Sequence, residues 1–198
     1  MKNQKSFQNF LGLLLFTIIL SFTACQPAEK KEQNKSQVGD LKTTTYIIVR
    51  HAERFYDESD DPLLTEEGKE RARELARVLK DVHLDEIYAT EFTRTTQTAT
   101  PTAMEKNLNI EEYPAKQYKE LIEGLRKNHS GETILIIGHT DSTPYIVNEI
   151  TGSNLSELED PEYDNLFIVT VTGDNTKTLQ LKFGVDSSQK IDNKQEED

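Results

Sequence analysis

Basic side chains follow three predicted β-strands and are the strongest candidates for chemistry in this sequence. Arg50 and His51 come directly after the apolar run "YIIV". Arg94 follows "EIYAT", and His139 follows "TILIIG". Ligands of open parallel sheets bind beyond the carboxyl ends of the strands, so these residues are expected to meet at one edge. Each alone has an ordinary interpretation as a surface arginine or a core imidazole, but the four together indicate a functional site.

Two arginines and two histidines are suited to phosphate chemistry. Arginine binds phosphate oxygens bidentately and stays charged. A neutral histidine can attack phosphorus if one ring nitrogen is unprotonated and the other donates to an acceptor that fixes the tautomer. A helix predicted to open with Thr143 as its N-cap would add positive potential. No metal or other cofactor is expected, because the arginines and a second imidazolium would offset the phosphoryl charge.

The elements that must position these residues alternate between strand and helix. Strands are predicted at 45–49, 86–90, 108–113 and 133–138, and a C-terminal hairpin at 166–171 and 178–183. Helices are predicted after the N-cap Thr65, from Thr93 to about Glu105 with a kink or break at Pro101, from Tyr118, and from Thr143. This order predicts an α/β fold, a three-layer α/β/α sandwich with a mainly parallel central sheet and an antiparallel edge.

Four segments together resemble one known family. The blocks "VRHAE", "DPLLTEEGKERA", "YATEFTRTTQTATP" and "IGHTDS" are similar, in order and spacing, to the histidine phosphatase superfamily and its phosphoglycerate mutase-like fold. The resemblance runs from residue 46 to about residue 152 and points to the small phosphatase branch. It implies that His51 is the nucleophile that becomes phosphorylated. It implies too that Arg50, Arg94 and His139 bind the phosphoryl group, with Thr140 as a further substrate-binding residue.

The proton donor for the leaving group is less clear from the sequence. Mutase-like members carry a glutamate after the second strand and helix, but "EEYPAKQYKELIEG" does not match their pattern. The candidates are Glu53, two residues past the nucleophile, and Asp141, two residues past the second histidine. Glu53 ranks slightly above Asp141, and either could instead form a salt bridge. A good leaving group such as phosphohistidine would need no strong acid.

The function predicted from these features is a metal-independent phosphatase that hydrolyses phosphomonoesters or phosphohistidine through a phosphohistidine intermediate. The partner would be a small phosphorylated substrate or a phosphoprotein. A non-catalytic phosphate- or phosphoprotein-binding module is the main alternative. A mutase is less favoured, because such enzymes carry longer insertions around the substrate. A zinc site of His51, His139 and Asp141 is disfavoured, because two arginines beside a dication repel it.

Composition and the chain ends indicate where the protein works. A net charge of −12 argues against nucleic acid as a partner. Residues 1–24 are typical of a signal peptide, and "FTAC" resembles the lipobox of bacterial lipoproteins, with Cys25 as the lipidated residue. A plain signal peptide or an uncleaved anchor is the alternative. We expect a tether at 25–43, the catalytic domain at 44–185, a disordered tail at 186–198, and export to the cell envelope with a lipid anchor in a bacterial membrane.

One acidic segment is expected near the pocket. The loop 55–61, "FYDESDD", follows the predicted nucleophile closely and is expected to overhang the phosphate site. Its carboxylates would select against highly anionic substrates or attract cationic groups. A solvated loop with no role is the plainer interpretation.

Overall fold

The computed structural model describes residues 41–187 of the chain. In that range six strands and four helices alternate along the sequence before a final hairpin. The strands are β1 (Thr43–Arg50), β2 (Glu86–Thr90), β3 (Glu111–Tyr113), β4 (Thr133–Gly138), β5 (Asn165–Thr172) and β6 (Asn175–Lys182). The helices are α1 (Glu66–Leu79), α2 (Thr93–Lys106), α3 (Tyr118–Asn128) and α4 (Ser142–Thr151).

The strands form one six-stranded sheet in the order β3-β2-β4-β1-β5-β6. The first four strands in this order run parallel, whereas β5 and β6 are antiparallel to their neighbours. Arg50 at the end of β1 pairs with Gly138 at the end of β4. His51 and His139 therefore leave adjacent strands at the same level of the sheet.

Apolar side chains alternate along the central strands and fill both faces of the sheet. Ile47 and Val49 of β1 pack in one core cluster with residues of α1 and α2. Tyr46 and Ile48 pack in the other cluster with residues of α3 and α4. Strands covered on both faces are expected to be continuously apolar, as β1 and β4 are. The predicted three-layer α/β/α architecture with an antiparallel edge is confirmed.

Helix α1 begins as the sequence predicts. Thr65 is the N-cap, and its hydroxyl accepts a hydrogen bond from the backbone N–H of Gly68 at 3.1 Å. Gly68 also allows a close approach, because a Cβ at this position would lie 2.1 Å from the carbonyl oxygen of Glu53. The glycine thus lets α1 pack directly against the segment that follows the predicted nucleophile.

Helix α2 has no break at Pro101. It continues from Thr93 to Lys106, whereas the sequence predicted either a kink or a break at this proline. A helix can pass a proline when its packing holds the flanking turns. Here Ala99 and Ala103 on either side of Pro101 are buried in the core.

Helix α4 and strand β3 also differ from their predicted bounds. The N-cap of α4 is Asp141 rather than Thr143, because the Asp141 carboxylate accepts from the N–H of Ser142 at 2.7 Å. Thr143 lies inside the first turn and is fully buried. Strand β3 covers only the last three of the six residues predicted for it.

The ends of the described region bear on the predicted domain limits. Ser187 is 2% exposed, and its hydroxyl accepts from the N–H of Tyr163, so packed structure continues two residues past the predicted limit at 185. Within residues 41–187, no helix has the length and hydrophobicity needed to cross a bilayer. The predicted signal peptide, Cys25 and nearly all of the predicted tether and tail lie outside the described residues.

Candidate active site

The four predicted basic residues meet at the carboxyl edge of the sheet. They line one cavity of about 280 Å³ with Thr140 and Asp141. The other lining residues are Arg54, Phe92, Ala115, Lys116 and Asp160. The strands therefore bring together every predicted phosphate-binding residue, although these come from three separate parts of the chain.

His51 is held with one ring nitrogen free for attack. Its Nδ1 lies 2.8 Å from the carbonyl oxygen of Ala52. A carbonyl oxygen only accepts, so Nδ1 carries the proton and Nε2 keeps its lone pair. His51 is 3% exposed, and burial, with a smaller contribution from Arg50, lowers its pKa well below 6.5. At neutral pH the ring is thus unprotonated at Nε2, the form that a nucleophilic histidine requires.

Backbone contacts fix the residues around His51. The N–H of His51 donates to the carbonyl oxygen of Gly138 at 2.9 Å, which extends the pairing of β1 with β4 by one residue. The N–H of Ala52 donates to the hydroxyl of Thr98 in α2 at 2.9 Å. The imidazole is therefore positioned from both the sheet and a helix.

His139 faces His51 across the cavity, with ring centroids 5.4 Å apart. Its Nδ1 lies 3.4 Å from Nη2 of Arg94, which only donates, so Nδ1 accepts. Its Nε2–H then donates to the hydroxyl of Thr90 at 2.9 Å. This tautomer leaves His139 neutral within the protein.

The protein groups around His139 favour its neutral form. Burial, followed by the charge of Arg94, lowers the pKa of His139 to about 4. The protein groups alone therefore keep the ring neutral at pH 7. A phosphate dianion in the cavity would raise the pKa, because an opposite charge favours the protonated form.

Arg50 is almost completely enclosed, with 2% of its surface exposed. Its guanidinium carbon lies 4.1 Å from the ring centroid of Tyr163. Nη1 donates to the carbonyl oxygen of Glu159 at 3.3 Å, and Nη2 is paired with the carboxylate of Asp160. The buried Nε–H has no hydrogen-bond partner among the described residues.

Arg94 is fixed by the acidic loop and by an aromatic ring. Its guanidinium carbon lies 4.3 Å from the ring centroid of Phe92, and Nη1 lies 3.5 Å from Asp61. Asp61 also accepts from the N–H of Thr93 at 2.9 Å, which caps the start of α2. As in Arg50, the buried Nε–H has no partner in the described region.

The acidic loop itself lies outside the cavity. None of residues 55–61 is among the described residues that line it, contrary to the expected overhang. Asp61 of this loop instead contacts Arg94 and the start of α2.

Glu53 does not reach the phosphate pocket. Its carboxylate binds the guanidinium of Arg71, with Nε–O distances of 3.1 and 3.0 Å and an Nη2–O distance of 2.8 Å. The pair is buried, and Glu53 does not line the cavity. The ranking of Glu53 above Asp141 therefore lacks geometric support. Arg71 lies on the buried stripe of α1, and a charge on such a stripe was the available signal of a buried partner.

Asp141 lies at the cavity and is exposed to solvent. One carboxylate oxygen caps α4 through Ser142. Thr140 beside it also lines the cavity, and its carbonyl oxygen accepts from the N–H of Leu158 at 3.1 Å. Of the two predicted proton donors, only Asp141 lines the cavity.

The residues weighed as a zinc site do not form a ligand cluster. Across residues 41–187, the one set of three side chains with metal-ligating atoms within 4.8 Å of one another is Glu86, His129 and Glu132. Glu86 begins β2 and Glu132 precedes β4, so this set lies at the amino ends of the parallel strands, opposite the histidine pair. His129 and Glu132 are hydrogen-bonded at 2.8 Å.

A larger cavity lies away from the histidine pair. It has a volume of about 670 Å³ and is lined by residues of α1 and by the segments around Pro161 and Phe183. None of its lining residues in the described part of the chain is a histidine. The smaller cavity is the better candidate for the active site, because His51, His139, Arg50 and Arg94 all line it.

Several further residues contact the predicted site residues but were not predicted as site residues from the sequence. Thr90 orients His139, Tyr163 covers Arg50, and Asp160 pairs with Arg50. Tyr163 and Asp160 belong to the connection between α4 and β5, which has no regular structure and carried no motif. Thr90 was identified only as the end of a strand.

The sheet and the cavity together define an α/β protein. Its pocket is lined by histidine and arginine side chains at the ends of the parallel strands. Residues 46–116 match the model of the histidine phosphatase superfamily, branch 1. The chain is therefore similar to this superfamily over that segment. Its fold is that of the phosphoglycerate mutase-like members.

Individual relatives are distant in sequence. The chain is 24% identical to phosphoserine phosphatase 1 of Hydrogenobacter thermophilus over 192 residues, covering 70% of this chain and 91% of the relative. The structure of the protein histidine phosphatase SixA complexed with tungstate matches with a TM-score of 0.60 at 21% identity, covering 70% of this chain and 96% of SixA. A phosphoglycerate mutase from Bacillus anthracis matches with a TM-score of 0.59 at 13% identity, covering 72% and 94%.

Proposed function

We propose that the protein is a metal-independent phosphatase that hydrolyses phosphomonoesters or phosphohistidine through a phosphorylated His51. The observation that carries the proposal is the tautomer of His51. Its Nδ1–H donates to the carbonyl oxygen of Ala52, so Nε2 keeps its lone pair and is the nucleophile. Nε2 attacks phosphorus as the bond to the leaving group breaks, and water then attacks the phosphohistidine to release phosphate.

Two arginines supply the positive charge for this step. Arg50 and Arg94 line the same cavity, and each has a buried Nε–H without a partner among the described residues. Buried donors are rarely left unsatisfied, so oxygens of a bound phosphoryl group fit both positions. Preorganised donors of this kind stabilise the charge that develops in phosphoryl transfer, which is why no metal is needed in this proposal.

Asp141 is the proposed proton donor to the leaving group. It lines the cavity and is exposed, whereas Glu53 is bound to Arg71. A carboxylic acid that protonates the leaving oxygen contributes about 10²- to 10⁴-fold to the rate. His139 and Thr140 complete the pocket, and His139 becomes protonated when the dianion enters.

The relatives support small or protein-borne phosphorylated substrates. One is called a phosphoserine phosphatase and another a protein histidine phosphatase. The sequence identity to either protein is too low for its substrate to be assigned directly to this chain. Both names agree with a pocket of about 280 Å³ that accepts one phosphoryl group.

The test is hydrolysis of a chromogenic phosphate ester in the presence of EDTA. The proposal predicts turnover that EDTA leaves intact and vanadate inhibits. The His51→Ala variant should lose turnover while keeping its thermal unfolding temperature. Wild-type turnover by His51→Ala would rule out this nucleophile.

A second candidate function is phosphate binding without turnover. It is favoured by one observation, the engagement of Glu53 with Arg71, which leaves Asp141 as the nearest proposed acid. Tight phosphate binding by calorimetry, with no hydrolysis of esters or of phosphohistidine, would support this function over the first.

We also propose that the protein is exported and lipidated at Cys25. The support is the sequence of residues 1–25, which lie outside the described structure. Fractionation of expressing cells tests this proposal. The wild-type chain should be recovered with membranes, and Cys25→Ser should alter its processing and release it.

A further inference from the structure

The pairing of Asp160 with Arg50 places a negative charge inside a pocket proposed to bind anions. Asp160 comes from the connection between α4 and β5, and its carboxylate accepts from Nη2 of Arg50. Arg50 is 2% exposed in its side chain, whereas Asp160 is 50% exposed. The carboxylate is therefore reachable from the cavity that it lines.

The segment that carries Asp160 is fixed around Arg50 by further contacts. Glu159 accepts from Nη1 through its carbonyl oxygen, and Tyr163 stacks on the guanidinium. The hydroxyl of Tyr163 is hydrogen-bonded to that of Tyr56 at 2.8 Å. Asp160 is thus held at the phosphate pocket by neighbours that are themselves buried or hydrogen-bonded.

A carboxylate at this position has an electrostatic cost for simple anions. It offsets part of the charge of Arg50 and repels a phosphate that approaches the same guanidinium. A second carboxylate, Asp141, lines the cavity as well. Substrates with a positive group beside the phosphoester would recover part of this cost by pairing with the half-exposed Asp160.

We propose that Asp160 is a specificity-determining residue that favours phosphoesters with a cationic leaving group over neutral or anionic ones. The inference rests on the proposed function, because it takes the cavity to bind a phosphoryl group. Arg54 and Lys116 also line the cavity and attract the phosphate that all substrates share. The discrimination must therefore be measured between leaving groups, with the phosphate kept constant.

The experiment compares three esters of similar size: phosphoethanolamine, propyl phosphate and phosphoglycolate. Their leaving groups are cationic, neutral and anionic. Affinities are measured by calorimetry in the His51→Ala background, where turnover does not interfere. The Asp160→Asn variant keeps an oxygen that can accept from Arg50 but removes the charge. Asp160→Glu keeps the charge.

The preference for phosphoethanolamine over propyl phosphate should fall about three- to fivefold in Asp160→Asn, the range of a partly exposed ion pair. Phosphoglycolate should bind more tightly in the same variant. Asp160→Glu should retain most of the preference. Asp60→Asn is the matched control, because Asp60 is exposed and does not line the cavity. That control should leave the preference unchanged.

An unchanged or increased preference in Asp160→Asn would overturn the inference while leaving the phosphatase proposal in place. An equal change in Asp60→Asn would overturn it too, because the effect would then come from net charge. If neither tungstate nor any of the three esters binds the protein, the cavity does not bind phosphate. The proposed function and this inference would then both be wrong.

Discussion

The Nδ1–H of His51 donates to the carbonyl oxygen of the next residue, Ala52, over 2.8 Å. This single contact determines which ring nitrogen can react. Ala52 is itself held, because its N–H donates to Thr98 of α2. The proposed nucleophile is thus oriented by the backbone of its own segment.

Asp141 can be tested separately from its structural role. Asp141→Asn should keep the cap of α4, because asparagine is as good an N-cap as aspartate. It cannot protonate a leaving alkoxide, so kcat for an alkyl phosphate should fall by about 10²-fold. Steady-state kinetics with an alkyl and a nitrophenyl phosphate would measure this, since nitrophenolate leaves without a proton. Equal losses on both substrates would contradict the assignment.

Glu53 should matter for stability and little for the chemistry. Glu53→Gln removes one charge of a buried pair and leaves Arg71 uncompensated, so the free energy of unfolding should fall by about 3 kcal/mol. Urea denaturation measures this. Glu70→Gln, which removes an exposed ion pair with Arg73, should have little effect on stability.

Turnover separates the two possible roles of Glu53. At a temperature where the Glu53→Gln variant remains folded, kcat for an alkyl phosphate should stay within about threefold of wild type. A fall in kcat of about 10²-fold, the size expected for a missing general acid, would instead indicate that Glu53 takes part in the catalytic step.

Much of this arrangement could be predicted from the sequence. The buried strands β1 and β4 are continuous apolar runs, and each is followed directly by a histidine, so the topology alone placed His51 beside His139. The N-cap Thr65 and the apolar stripe of α1 could also be predicted from the sequence. These features depend on local pattern and on the general rule for parallel sheets.

Other parts of the site depend on contacts between distant segments. Glu53 is near His51 in sequence, but its side chain pairs with Arg71, 18 positions further on. Asp160 reaches Arg50 from 110 positions away through an irregular connection. No local periodicity encodes such contacts. Thr143 was predicted as an N-cap because Pro144 follows it, but the carboxylate of Asp141 caps the helix two residues earlier.

The low pKa of His139 predicts a specific dependence of stability on pH. Its pKa is about 4 in the folded protein and near 6.5 when unfolded. Between these values the unfolded chain binds more protons than the folded protein. The contribution of His139 to the free energy of unfolding is therefore fully present above about pH 6.5 and is lost as the pH falls toward 4. The lowered pKa of His51 contributes in the same direction.

Urea denaturation at pH 7 and pH 4.5 measures this dependence. His139→Gln should lose less stability between the two values than wild type, because one of the two histidines with a lowered pKa is gone. His83→Gln is the control, since the side chain of His83 is 85% exposed. If His139→Gln and wild type lost equal stability, His139 would not be held neutral by burial.

Trapping of the phosphoenzyme tests whether His51 becomes phosphorylated during turnover. The protein is mixed with a ³²P-labelled phosphate ester, quenched with base within the first turnover, and mapped by mass spectrometry. The account predicts an acid-labile, base-stable phosphoryl group on His51, and none in His51→Ala. Turnover of the ester with no phosphorylated His51, or with the label on a different residue, would contradict it.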